Sequence, residues 1–147
     1  MLYPCYMSIK AKLTAVAIAT ASSVFSFSVP SQAGEYEYLD ELEKPLEYVS
    51  QQEPVNRYLD NLSDSQKLKH GKNYCKGLED LSIDGILKIL EEMADQYVQE
   101  GMPDQIAQVF YEAEASMVFA SAKGLCPEYE HKIDNFTSEK LRETEEI

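Results

Sequence analysis

The chain has 147 residues, room for one domain and hardly for two, and its composition (44% hydrophobic, 27% charged) is that of a globular protein rather than a disordered one. Thirteen Lys and Arg stand against 26 Asp and Glu, a formal charge of −13; residues 1–33 hold Lys10, Lys12 and no acid, so residues 34–147 carry −15. A surface this acidic repels phosphate backbones and anionic membranes, and no basic stripe offsets it, so nucleic acid is excluded as a partner.

Residues 1–33 follow the pattern of a secretory signal peptide. Lys10 and Lys12 lead an apolar stretch from Leu13 through Ala21, diluted by Ser up to Val29. Pro30 breaks it, and Ser31-Gln32-Ala33 sets small residues where a signal peptidase inspects them. Cleavage after Ala33 leaves Gly34 as the new N-terminus, and Met7 opens a more ordinary leader than Met1 while discarding Cys5. The stretch Leu13–Val29 is at the short limit for a spanning helix, and no cysteine stands at the cleavage point to take a lipid. The expectation is an exported protein, periplasmic or secreted, with no membrane anchor after cleavage.

Residues 34–54 hold seven acids against one base, Lys44, and Pro45 and Pro54 interrupt any long helix. The segment reads as an acidic, partly disordered arm. Tyr36, Tyr38, Leu39, Leu42 and Tyr48 make it more apolar than a solubiliser requires, which is the sharper reading of a docking arm.

A helical domain is expected over residues 55–130. Val55, Tyr58, Leu59 and Leu62 fall on one face of a short helix. Ser63-Asp64-Ser65-Gln66 is a capping box, and the next helix sets Leu68, Gly71, Tyr74, Cys75 and Leu78 on one side. Gly71 costs about 1 kcal/mol against Ala inside a helix, so it reads as a place where a neighbour comes close. Ser82 caps a third helix striped by Ile83, Ile86, Leu87, Leu90, Met93, Ala94, Tyr97 and Val98, and Gly101 ends it. Pro103 suits the first turn of a fourth, which runs through Ile106, Val109, Phe110, Ala113, Met117, Val118 and Ala120 to about Lys123, with Gly124 at its end. Residues 131–147 form an acidic tail with a short helix near His131–Phe136 and another after Thr137. No β alternation or solenoid repeat appears. The fold class is all-α: a small bundle of about four helices with acidic flexible ends.

The mature chain keeps two cysteines, Cys75 and Cys126, and in an exported protein a lone pair reads as one disulfide. Closing the loop between them is worth about 4 kcal/mol by the chain-entropy argument. Gly71-x-x-x-Cys75-x-x-Leu78, then a helical stretch, then Ala120 and Cys126-Pro127 resemble the bacterial domain-of-unknown-function family DUF seven-three-two over about residues 55–130. The resemblance implies a small exported helical protein with Cys75 paired to Cys126, and it carries over no catalytic residue. Members carry a Gly-Ile-like turn before the first cysteine helix, where this chain has Leu62-Ser63-Asp64-Ser65.

The search for chemistry is short. His70 and His131 each stand five positions from a cysteine, which invites a zinc reading, but five residues turn a helix by about 500° and set His70 and Cys75 apart around it. Glu128-x-x-His131 is half of a di-iron motif whose second half is missing, because Lys67 precedes His70 at that spacing. There is no Gly-x-Ser-x-Gly elbow, Cys-x-x-Cys pair, Walker loop or EF-hand loop. Neither catalytic residues nor a metal or other cofactor are expected. Asn61-Leu62-Ser63 and Asn135-Phe136-Thr137 fit the glycosylation sequon, which matters only in a host that glycosylates. The function expected is a non-catalytic binding or structural module. Its partner is a protein or a small apolar ligand, met on a face formed by Met93, Tyr97, Phe110 and Met117. The alternative is an envelope metal-dependent factor or enzyme using His70 and His131.

Overall fold

A computed structural model describes residues 32–44 and 52–145; the expected signal peptide up to Ser31, and Tyr48, lie outside the described residues. All regular structure among the described residues is helical. In chain order the helices are α1 (Gln32–Glu43), α2 (Gln52–Asp60), α3 (Asp64–Asp80), α4 (Ile83–Gln99), α5 (Asp104–Ala120) and α6 (His131–Glu145). A π turn over Ser121–Leu125 and a 3₁₀ turn over Pro127–Tyr129 join the last two.

The starts and stops follow from local chemistry. The Ser63 hydroxyl accepts the Gln66 N–H at 3.3 Å while the Gln66 side chain accepts the Ser63 N–H at 2.9 Å, the reciprocal box read from the sequence. Ser82 caps α4 by accepting the Gly85 N–H at 3.1 Å. Gly101 ends that helix at φ +103°, a conformation that costs any residue with a Cβ. Pro103 stands one position outside α5, which begins at Asp104.

Helix α5 is the axis. Ala107, Phe110, Ala113, Met117, Val118 and Ala120 are all buried, because α2, α3 and α4 each pack against it. The main core joins Ala113, Met117, Val118 and Ala120 to Val55, Leu59, Leu78, Ile83, Ile86 and Leu90; fully burying a side chain of the Val, Leu, Ile or Met type stabilises the fold by about 1.5–3 kcal/mol. At the far end of the α4–α5 pair, Ala94, Tyr97, Ala107 and Phe110 form a smaller cluster of their own.

Three expectations need correction. The fourth helix does not stop at Lys123 with Gly124 as a terminal glycine. The backbone instead widens into the π turn, closed by the Cys126 N–H donating to the Ser121 carbonyl at 2.9 Å. Gly124 is there for room: a Cβ at that position would lie 2.5 Å from the Tyr38 backbone nitrogen. The described parts of both acidic ends are helical, which brings the helices among the described residues to six rather than about four. Helix α1 takes residues 34–43 of the expected arm and buries Tyr38 and Leu42 against α3 and the π turn. Gly71 completes the seat, since a Cβ there would meet Leu125 Cδ1 at 2.5 Å and Tyr38 Cζ at 2.8 Å. The tail is one continuous helix, with the Thr137 hydroxyl donating to the Ile133 carbonyl inside α6 instead of capping a new one.

Candidate functional site

The spacing of α5 places Glu114 four residues after Phe110 and three before Met117, inside the helix's own apolar stripe. An ionised carboxylate there costs several kcal/mol unless charge and hydrogen bonds match it. Glu114 has no exposed surface, and three donors converge on it from two other helices. The Tyr58 hydroxyl, from α2, donates to Oε1 at 3.1 Å. The Tyr74 hydroxyl, from α3, donates to Oε2 through a short hydrogen bond. His70 lies one turn before Tyr74 on the same face of α3, and its Nδ1 meets Oε2 at 3.1 Å. With a carboxylate as partner, Nδ1 is the nitrogen that carries the proton.

The cluster has a dry side and a wet side. Glu114 is sealed, while the His70 side chain keeps 21% of its surface in contact with solvent. Burial pulls the His70 imidazole down, but the hydrogen bond and the negative charge of Glu114 together push it up by more, with Lys69 opposing; the net result lies above the ordinary 6.5. Burial first, then the charge of Glu114, raises the Tyr74 phenol well above its usual value. Tyr38 is raised for the same two reasons, in that order, so neither phenol ionises near neutrality. Tyr38 spends its own hydroxyl on the Lys67 carbonyl at 2.7 Å. The arrangement holds three helices to one carboxyl group, with His70 and Tyr58 half-buried at its edge.

The cysteines meet as expected. Cys75 and Cys126 form a disulfide with sulfurs 2.13 Å and Cα atoms 5.9 Å apart, which fastens the end of the π turn to α3. The two histidines do not meet. His131, exposed at the start of α6, has its Nδ1 on the Glu128 carbonyl at 2.9 Å, so the Glu128-x-x-His131 spacing is filled by a backbone contact. His131 lines a shallow groove with Asp80, and His70 stands ten residues earlier in α3, about 15 Å along the helix. Among the described residues no three His, Cys, Asp or Glu side chains are grouped to hold a metal ion.

Of the face expected of Met93, Tyr97, Phe110 and Met117, the last three are buried and Met93 is half-buried. Met117 is fully buried in the main core, and Phe110 and Tyr97 pack edge to face at 5.2 Å in the small cluster with Met93 against them. These side chains pack into the bundle. A groove of about 230 Å3 lies instead between the α3–α4 turn and α6, lined by Ile83, Asp84, His131, Asn135 and Phe136 among others. Lys132 braces that end by donating to the carbonyls of Leu78 and Leu81, two groups left over at the end of α3.

Glu114 is the site residue that the sequence reading passed over. Its signal was present, an acid between Phe110 and Met117 in a stripe of apolar positions, but 26 acids hid it. Comparison of the chain with protein-family models, with curated proteins and with solved structures returns no match.

Proposed function

We propose that the chain is an exported, disulfide-stapled helical module that works by association with a protein partner rather than by catalysis. The observation that supports this most is where the reactive groups are spent. Glu114 is saturated by Tyr58, Tyr74 and His70, and the cysteines are joined to each other. A residue engaged in this way stabilises a scaffold; a catalytic group must be able to meet a substrate.

With Tyr97, Phe110 and Met117 committed to the interior and Met93 half-buried against them, the partner is met on the outer surface. That surface carries the −15 of residues 34–147, which favours a basic partner and an association weakened by salt. A disulfide and the lack, among the described residues, of any helix long and apolar enough to cross a membrane are both compatible with export. Kinship with the DUF seven-three-two proteins belongs to the same proposal.

Intact mass of the protein recovered from the exported fraction, native and denatured, with and without thiol alkylation, tests the reading. The expected species starts at Gly34, resists alkylation until it is reduced, and carries no metal. Free alkylation or stoichiometric metal would overturn it in favour of a metal-dependent factor, with His70 as the first residue to substitute.

A further inference from the structure

Helix α2 is held to the bundle chiefly through α5, by the buried Val55 and Leu59 and by Tyr58, which touches both Glu114 and the Phe110 ring. Its polar tether and the His70 contact therefore end on the same carboxylate. Among the described residues His70 is the one basic side chain in contact with that carboxylate, and its ring keeps 21% of its surface in contact with solvent. The other titratable groups facing the pair are Tyr38 from α1, Tyr58 from α2, and Lys69 and Tyr74 from α3.

From this geometry we propose that His70 and Glu114 form a proton-operated clasp: while His70 is protonated the pair locks α3 to α5 and holds α2 in place, and loss of that proton slackens α2. The inference stands apart from the proposed export and association. Deprotonation leaves a buried carboxylate with two phenols and a neutral ring but no opposite charge, and such a group is costly in an apolar interior. The raised phenols supply no replacement proton transfer near neutrality. Because the folded state binds the His70 proton more tightly than the unfolded chain does, the contribution is complete below 6.5 and is lost as the pH rises through the higher folded value. What slackening uncovers is apolar: Val55 and Leu59, and the α5 surface beneath them.

The test uses the full chain with its disulfide intact. Nuclear magnetic resonance follows the His70 ring while hydrogen exchange, corrected for its intrinsic pH dependence, reports protection of the α2 amides from about pH 5.5 to about pH 8.5, a range that spans histidine titration. Protection in α2 is expected to fall severalfold with the midpoint of the His70 ring, and not with that of the exposed His131. In His70→Gln, which keeps a donor but no charge, α2 is expected to exchange fast and without a pH step. Glu114→Gln should also remove the step. A flat α2 profile through the His70 titration, or a step that survives in His70→Gln, would overturn the clasp. Should either variant fail to fold, the coincidence or mismatch of the two midpoints in the unmodified chain decides.

Discussion

Helices α1 and α6 are the first and last among the described residues, both short and rich in charge. Their fates differ. Helix α1 drives Tyr38 to 0% exposure into a seat built by two glycines, and Leu42 follows it one turn later. Helix α6 has no fully buried residue; Ile133 and Phe136 rest half-buried on the core, and Leu141 stays 62% exposed. Apolar content favours α1, whose 12 residues hold Ala33, Tyr36, Tyr38, Leu39 and Leu42 against Ile133, Phe136 and Leu141 in the 15 of α6. The receiving surface separates them further, since α1 meets a notch emptied of side chains at Gly71 and Gly124, whereas α6 borders a groove along the α3–α4 turn. Docking is decided by the site as much as by the helix.

Breaking the staple should have the largest effect on this contrast. Replacing Cys75 and Cys126 together by Ser is expected to cost about 4 kcal/mol in chemical denaturation, and hydrogen exchange should then rise in α1 more than in α6, because the disulfide holds the turn on which α1 sits. Equal loosening of both ends would mean that the staple serves the bundle at large. Tyr38→Ala should follow at about 3 kcal/mol, removing a buried ring together with its hydrogen bond to Lys67, and the same denaturation series measures it. Gly124→Ala adds one methyl group against the Tyr38 backbone, which cannot swing aside as a side chain would; about 1–3 kcal/mol is expected, with the loss of protection again confined to α1. On the other end, Phe136→Ala should cost only about 1 kcal/mol, because the ring is half-buried and meets Phe119 at 5.7 Å. Leu141→Ala should change the midpoint by no more than about 0.5 kcal/mol.

Helix starts and stops were legible because each depends on a few neighbouring residues: the Ser63 box, the Ser82 cap and Gly101 all stand where their local chemistry puts them. The disulfide was legible for a different reason, as a lone pair has one partner to choose. The seat of α1 was not, because a glycine at 71 or 124 reveals that something comes close without saying what does. Acidity then misled at both ends: the charges of α1 flank Tyr38 and Leu42 without preventing their burial, and Lys72 answers Glu35 across the contact at 2.7 Å. Glu114 was hidden by the same abundance. Recognising it required knowing that the stripe around it is covered on more than one side, which only the packing of α2 and α3 against α5 supplies.

The seat of Tyr38 also orders events in time. Its floor includes Gly124 and Leu125, made near the end of the chain, while the ring that fills it belongs to the first described helix. A segment that must wait for its partner across most of the sequence forms its contacts late and pays a large loop-closure entropy to do so. The first described helix thus completes its seat only once the π turn and its cysteine are made, and until then Tyr38 has α3 alone to receive it.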